Sequence, residues 1–373
     1  MIKKIFIAIL AVSFIVACSS SSSSGDDSPV ATDDFDRGAL LTNLADNIII
    51  PAFQDLSAKL VTLTADKDAF VADANQTNLD NLRASWLEAY KVWQHVEMFN
   101  IGKAEELTYS FQMNIYPVST TDVEANISAG NADLTHVNNN DAVGFPAVDY
   151  MLYGVADSDA EILTKYEDDK YKAYLSDLVN QMESLTETVL TDWTSSYRAT
   201  FVSSTSNTVT SSLNKFVNDY VNYYESGLRS RKIGIPAGIF SGGNLFPDKV
   251  EGYYSQEFSM VLALEALKAV QDTFNGTGYN NSTSDNSLKS YLDYLNVDED
   301  GDDLAFLINS QLDLSRSKIK VLDDSFSDQI ETDNTKMTLA YDDLQRAVVL
   351  FKVDMMGALQ IGLDAGYIDN DGD

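Results

Sequence analysis

Gly144-Phe145-Pro146-Ala147-Val148-Asp149-Tyr150-Met151-Leu152-Tyr153-Gly154 sets a single acid among hydrophobic neighbours. Asp149 follows Phe145 by four residues and precedes Leu152 by three, so on a helix the three side chains share one face, a face apolar enough to exclude solvent. An ionised carboxylate there needs a cation, several hydrogen bonds or a raised pKa. The same spacing of threes and fours runs outward through the chain. Phe53, Leu56, Leu60 and Leu63 form one stripe; Leu79, Leu82, Trp86, Tyr90, Trp93 and Glu97 form another, preceded by Thr77-x-x-Asp80, which reads as a capping box. Further stripes carry Leu175, Leu178, Met182, Leu185 and Val189, then Leu213, Phe216, Tyr220 and Tyr224. Later ones carry Tyr254, Phe258, Val261 and Glu265, and finally Leu344, Phe351, Met355 and Leu359. No comparable series of alternating strands appears, so the expected class is all-α, built as helical bundles.

Segments rich in Asn, Asp, Ser, Thr and Gly separate these stripes at residues 130–141, 203–207, 275–286 and 298–303, and read as loops. Two more acids share the core-facing spacing of Asp149. Glu97 follows Trp93 by four, and Asp354 follows Phe351 and Leu350 by three and four. If the three converge they make a site for a hard cation; the alternative for each is a structural carboxylate paired with an Arg or a backbone amide. His95 lies two residues before Glu97 and so on another helix face, which suits a polar contact between helices better than a shared ion, and His136 falls in an Asn-rich loop. No two-histidine zinc spacing occurs, so a thermolysin-type mechanism has no visible parts.

Arg229-Ser230-Arg231-Lys232 is the densest basic cluster, directly before the Gly/Pro-rich stretch 234–247. Read functionally, Arg231 and Lys232 with the amides of Ser241-Gly242-Gly243 hold an anion; read structurally, they end a helix over 213–228. Asn296-x-Asp298-x-Asp300-Gly301 opens like a calcium loop but has Leu307 at its twelfth position, and Asp369-x-Asp371-Gly372-Asp373 is similarly partial, so both read as acidic turns with weak affinity for calcium. No serine or cysteine stands in a recognisable nucleophile arrangement, and no phosphate-cradling loop with Gly-Lys-Ser/Thr occurs.

The N-terminus carries an address. Lys3 and Lys4, an apolar run from Ile5 to Ala17 and then Cys18 form a signal peptide over residues 1–17 with a bacterial lipobox at Ile15-Val16-Ala17-Cys18. Cys18 is the only cysteine, which excludes an internal disulfide and marks it for acylation. Residues 18–34, with their serine run, are expected to be a flexible tether from the lipid to the folded part. The expected location is the bacterial cell envelope, on an outer-membrane lipoprotein facing the periplasm or the cell surface. Net charge is −32, more negative still once Lys3 and Lys4 leave with the leader. Such a field repels nucleic acid, which is excluded as a partner.

The Gly144–Gly154 stretch, with Leu82 to Gly102, Asn114 to Ile127, Lys232 to Phe258 and Tyr341 to Asp373, resembles the imelysin-like, or M75 peptidase-like, family over nearly the whole mature chain. That signature runs Gly, any, His, two of any, Glu; the resemblance puts Pro146 at the His position and Asp149 at the Glu position. It implies two four-helix-bundle-like halves packed together with the site between them, here residues 35–200 and 201–373. It also implies a role in iron or metal uptake. Without the imidazole, a metal-peptidase site lacks its commonest ligand. The expectation is therefore a lipid-anchored binding protein without catalysis, taking a metal ion (iron or calcium) or a small anionic ligand through Glu97, Asp149 and Asp354, with Arg231 and Lys232 as anion partners. A metallopeptidase is one alternative; a carbohydrate- or protein-binding lipoprotein using Tyr220, Tyr223, Tyr224, Tyr253 and Tyr254 is the other.

Overall fold

The expected stripes lie on helices or at their ends in the computed structural model, which describes residues 33–299 and 301–362, except that Tyr254 falls in a turn before helix Ser259–Asn275. Cys18, the leader, most of the tether and the acidic C-terminal turn fall outside the described residues. The Arg37–Ala72 helix buries Phe53, Leu56, Leu60 and Leu63 against helices Gln76–Trp93 and Asp169–Asp192. Leu79, Leu82, Trp86, Tyr90 and Trp93 are all fully buried on the second of these. The short helices Thr120–Ala129 and Gly144–Asp149 pack on Asp169–Asp192 and complete this first group.

In the second group, helix Ser212–Asn222 runs on into a wide-turned segment, Tyr223–Gly234. Around it stand helices Ser259–Asn275, Leu304–Ile319 and Phe326–Val349. Helix Ser259–Asn275 packs against Gln76–Trp93 and joins the groups. The boundary expected at residue 200 falls inside helix Arg198–Ser203, and from Asp36 onward the described residues form one compact unit.

Local chemistry explains two departures from expectation. The Gln76–Trp93 helix is capped by Asn75, whose side chain accepts from the Asn78 amide at 3.0 Å, so Thr77 lies inside the first turn and the expected capping box is not the cap. Asn75 has extended backbone and a short amide side chain, which suits the N-cap position. The first helix tolerates Pro51 because a wide turn, Leu44–Ile49, precedes it. Proline lacks the N–H that would bond back to Asn47, and the Tyr279 amide takes that carbonyl instead at 2.7 Å.

The basic cluster does not end a helix at Leu228. The wide turns carry it through Gly234, and Arg229 is fully buried, paired with Glu225 and bonded to Tyr341 and Gln345. Nor do the five tyrosines make a sugar-stacking surface: Tyr220, Tyr223 and Tyr224 belong to the core, and only Tyr253 and Tyr254 are half-exposed. In the calcium-like turn, Asp298 and Glu299 pair with Asp303 and Asp302 as a two-stranded ladder, and Asp303 caps helix Leu304–Ile319 by accepting from Phe306 at 2.7 Å.

Candidate functional site

The site begins with a glycine that no other residue can replace. Gly144 has φ +74°, and a Cβ there would sit 2.2 Å from the Met113 carbonyl oxygen. Without that atom, the start of helix Gly144–Asp149 lies directly on the end of helix Tyr109–Met113, and Phe145 stacks on Tyr90 at 4.5 Å with rings nearly parallel, 2° apart. Pro146 occupies the first helical turn, where a missing N–H removes no intrahelical bond.

Asp149, at the end of this helix, is 2% exposed. Its two carboxylate oxygens accept from the backbone amides of Tyr254, at 2.9 Å, and Ser255, at 3.0 Å. Burial pushes its pKa up to about 7, against the pull of those bonds. The acid therefore does what the structural alternative expected of it: it clasps a segment a hundred residues away. It also lines a cavity of about 220 Å³, whose walls include Tyr116, Pro146, Asp248, Tyr253 and Tyr254. Its lining comes from two stretches of the chain, residues 116–149 and residues 248–254.

Behind this cavity is a second buried cluster. The Lys232 ammonium, 2% exposed, is held by Glu251 Oε2 at 2.5 Å and lies 3.7 Å from Glu97 Oε2. Asn114 Nδ2 donates to Glu97 Oε1 at 3.0 Å and to Glu251 Oε1 at 2.8 Å, while Gln94 Nε2 donates to Glu251 Oε1 at 3.1 Å. Tyr90 in turn donates to Asn114 Oδ1 at 2.7 Å. Burial first, and then the charges of Glu251 and Glu97, push the hydroxyls of Tyr90 and Tyr116 well above the ordinary tyrosine range. Tyr116 thus belongs to both regions, and the nearby Arg231 charge acts on it in the opposite sense.

The structure places the sequence candidates unevenly. Glu97 and Lys232 come together, around Glu251. Asp149 stands at the cavity, close enough for its charge to act on Tyr90 alongside those of Glu251 and Glu97. Asp354 does not complete a metal site with them: among the described residues no group of three or more His, Cys, Asp or Glu side chains is placed to hold one ion. With both Asp149 oxygens already on amides, the residues present do not fit a protein-caged transition metal. Lys232 is spent on internal carboxylates instead of facing an anion. His95 makes the expected contact between helices, 2.9 Å from Glu265 with its ring edge-on to Tyr279, and His136 is an exposed loop residue accepting from the Asn138 amide.

Sequence reasoning missed Glu251, Asn114, Tyr116 and Asp248. Their only signal was position: all four lie in or beside stretches that carry the family resemblance.

Comparison with known proteins agrees with this architecture. The family model described as Imelysin (Peptidase M75) matches residues 49–350. No curated protein matches the chain. Among solved structures, an imelysin-like protein from Psychrobacter arcticum superposes with a TM-score of 0.70 at 18% identity, covering 90% of this chain and 99% of that one. A protein from Parabacteroides distasonis named as an iron-regulated protein A precursor gives a TM-score of 0.70 at 17% identity, covering 87% and 97%. At these identities the likeness is one of fold, and it is the family match over most of the chain that decides membership: this chain belongs to the imelysin family.

Proposed function

We propose that this protein is an envelope-anchored binding member of the imelysin family that captures a positively charged ligand in the Asp149 cavity and releases it unchanged, in the service of iron or other metal acquisition. One observation carries the reading: the signature-like Pro146 and Asp149 line a cavity together with Asp248, so two acidic side chains border it and no basic residue does. Behind it, Glu97 and Glu251 are paired with the buried Lys232 ammonium. An iron link is supported by family membership and by the name of the Parabacteroides relative. Catalysis is not part of the reading, because Pro146 offers no proton-transfer or ligating group at the position where the family signature has its histidine. Cys18 supplies the anchor.

Calorimetry on the tag-free mature domain with iron, calcium and zinc salts and with small organic cations tests this. Stoichiometric binding that weakens in Asp248→Asn supports it. Absence of binding by every cation, or cleavage of a protein substrate that requires a metal ion, refutes it.

A further inference from the structure

We infer that the cavity takes its positive charge as an organic ammonium group held against tyrosine rings, an inference that rests on the cation-binding reading above. Size is the first ground. The cavity measures about 220 Å³, whereas one water, and a bare ion of similar size, fills roughly 30 Å³. The space suits a small molecule of several heavy atoms.

The wall chemistry is the second. Tyr116, Tyr253 and Tyr254 line the cavity. The Tyr253 and Tyr254 rings meet at 5.0 Å and 75°, and Tyr150 packs edge-on against Tyr254 at 5.0 Å, which fixes a corner of aromatic rings in place. A quaternary or primary ammonium gains from ring faces and from carboxylates together, while a hard metal ion gains little from a ring. Asp149 and Asp248 are the two acidic groups among the lining residues. The amide clasp on Asp149 leaves each of its oxygens with further acceptor capacity for an N–H donor. An anion finds no lining cation: Lys232 is buried on Glu251, and Arg231, whose charge reaches Tyr116, is not among the lining residues.

Titration of the mature domain with tetramethylammonium, choline and butylammonium chlorides, followed by calorimetry, tests the inference. The expected result is saturable binding of at least one of the three, weakened roughly tenfold by Tyr253→Leu or Tyr254→Leu, which keep bulk and remove the ring, and weakened also by Asp248→Asn. Circular dichroism and urea midpoints of each variant separate lost binding from lost fold. If iron, calcium or zinc binds with dependence on Asp248 and none of the three ammonium ions does, this inference falls and the cation-binding reading stands. If no cation of either kind binds, or if inorganic phosphate or acetate binds and Arg231→Gln abolishes it, both fall.

Discussion

Replacing Asp149 by Asn should flatten part of the pH dependence of stability. Burial raises the folded-state pKa of Asp149 from 3.8 to about 7, so the folded protein holds this proton more tightly than the unfolded chain does. The stabilisation this provides is complete below about pH 4 and is lost as the pH rises through about 7. A gap of about three pH units corresponds to roughly 4 kcal/mol over the whole window, and roughly 3 kcal/mol between about pH 4.5 and 8. In Asp149→Asn one oxygen still accepts an amide, while the new NH₂ faces the second amide as donor to donor. That costs about 1–3 kcal/mol at every pH, because asparagine does not titrate. Urea unfolding of both proteins across the range, subtracted point by point, cancels the many other carboxylates of this acidic chain. The wild-type advantage over the variant should shrink by roughly 3 kcal/mol from low to high pH. Two parallel profiles would show that Asp149 is ionised throughout the range, and the burial argument would be wrong.

Lys232→Met leaves Glu251 and the adjacent Glu97 oxygen buried without their cation, and should cost about 3–5 kcal/mol in urea unfolding; adding Glu251→Gln should recover a large part of it, and failure to do so would separate the two residues energetically. Gly144→Ala places a methyl 2.2 Å from a backbone oxygen at positive φ, so it should lower the thermal midpoint sharply or prevent folding, whereas Gly242→Ala, strained in φ but facing open space, should be milder. Arg198→Ala removes a bidentate pair with Asp46, but both partners are more than a third exposed, so the change should stay within about 1 kcal/mol and vanish in high salt.

The helices were legible because burial imposes a period: the stripe Leu79 to Trp93 reads directly from spacing, and every member is buried. Glu97 extends that stripe correctly even though the regular helix stops at Trp93, because its amide still bonds back to Trp93 at 2.9 Å. The site was only half visible. Asp149 announces itself as an acid on an apolar face, but its partners are backbone amides at 254 and 255, which carry no side-chain signature. Lys232, beside Arg229 and Arg231, read as an anion partner or as part of a helix end. What buries it is Glu251, nineteen residues onward in a segment with no periodicity, together with Asn114 and Glu97 far earlier in the chain. Long-range pairing of this kind leaves no local trace.

The segment Gly144–Asp149 divides its obligations unequally. Position 144 is fixed by its neighbour's carbonyl and position 149 by two distant amides, while position 146 owes the backbone nothing, since in a first helical turn even a residue lacking its amide proton fits. Within one short helix, then, the fold anchors two residues through the backbone and sets between them a third, buried at the cavity wall, that the backbone bonds leave unconstrained.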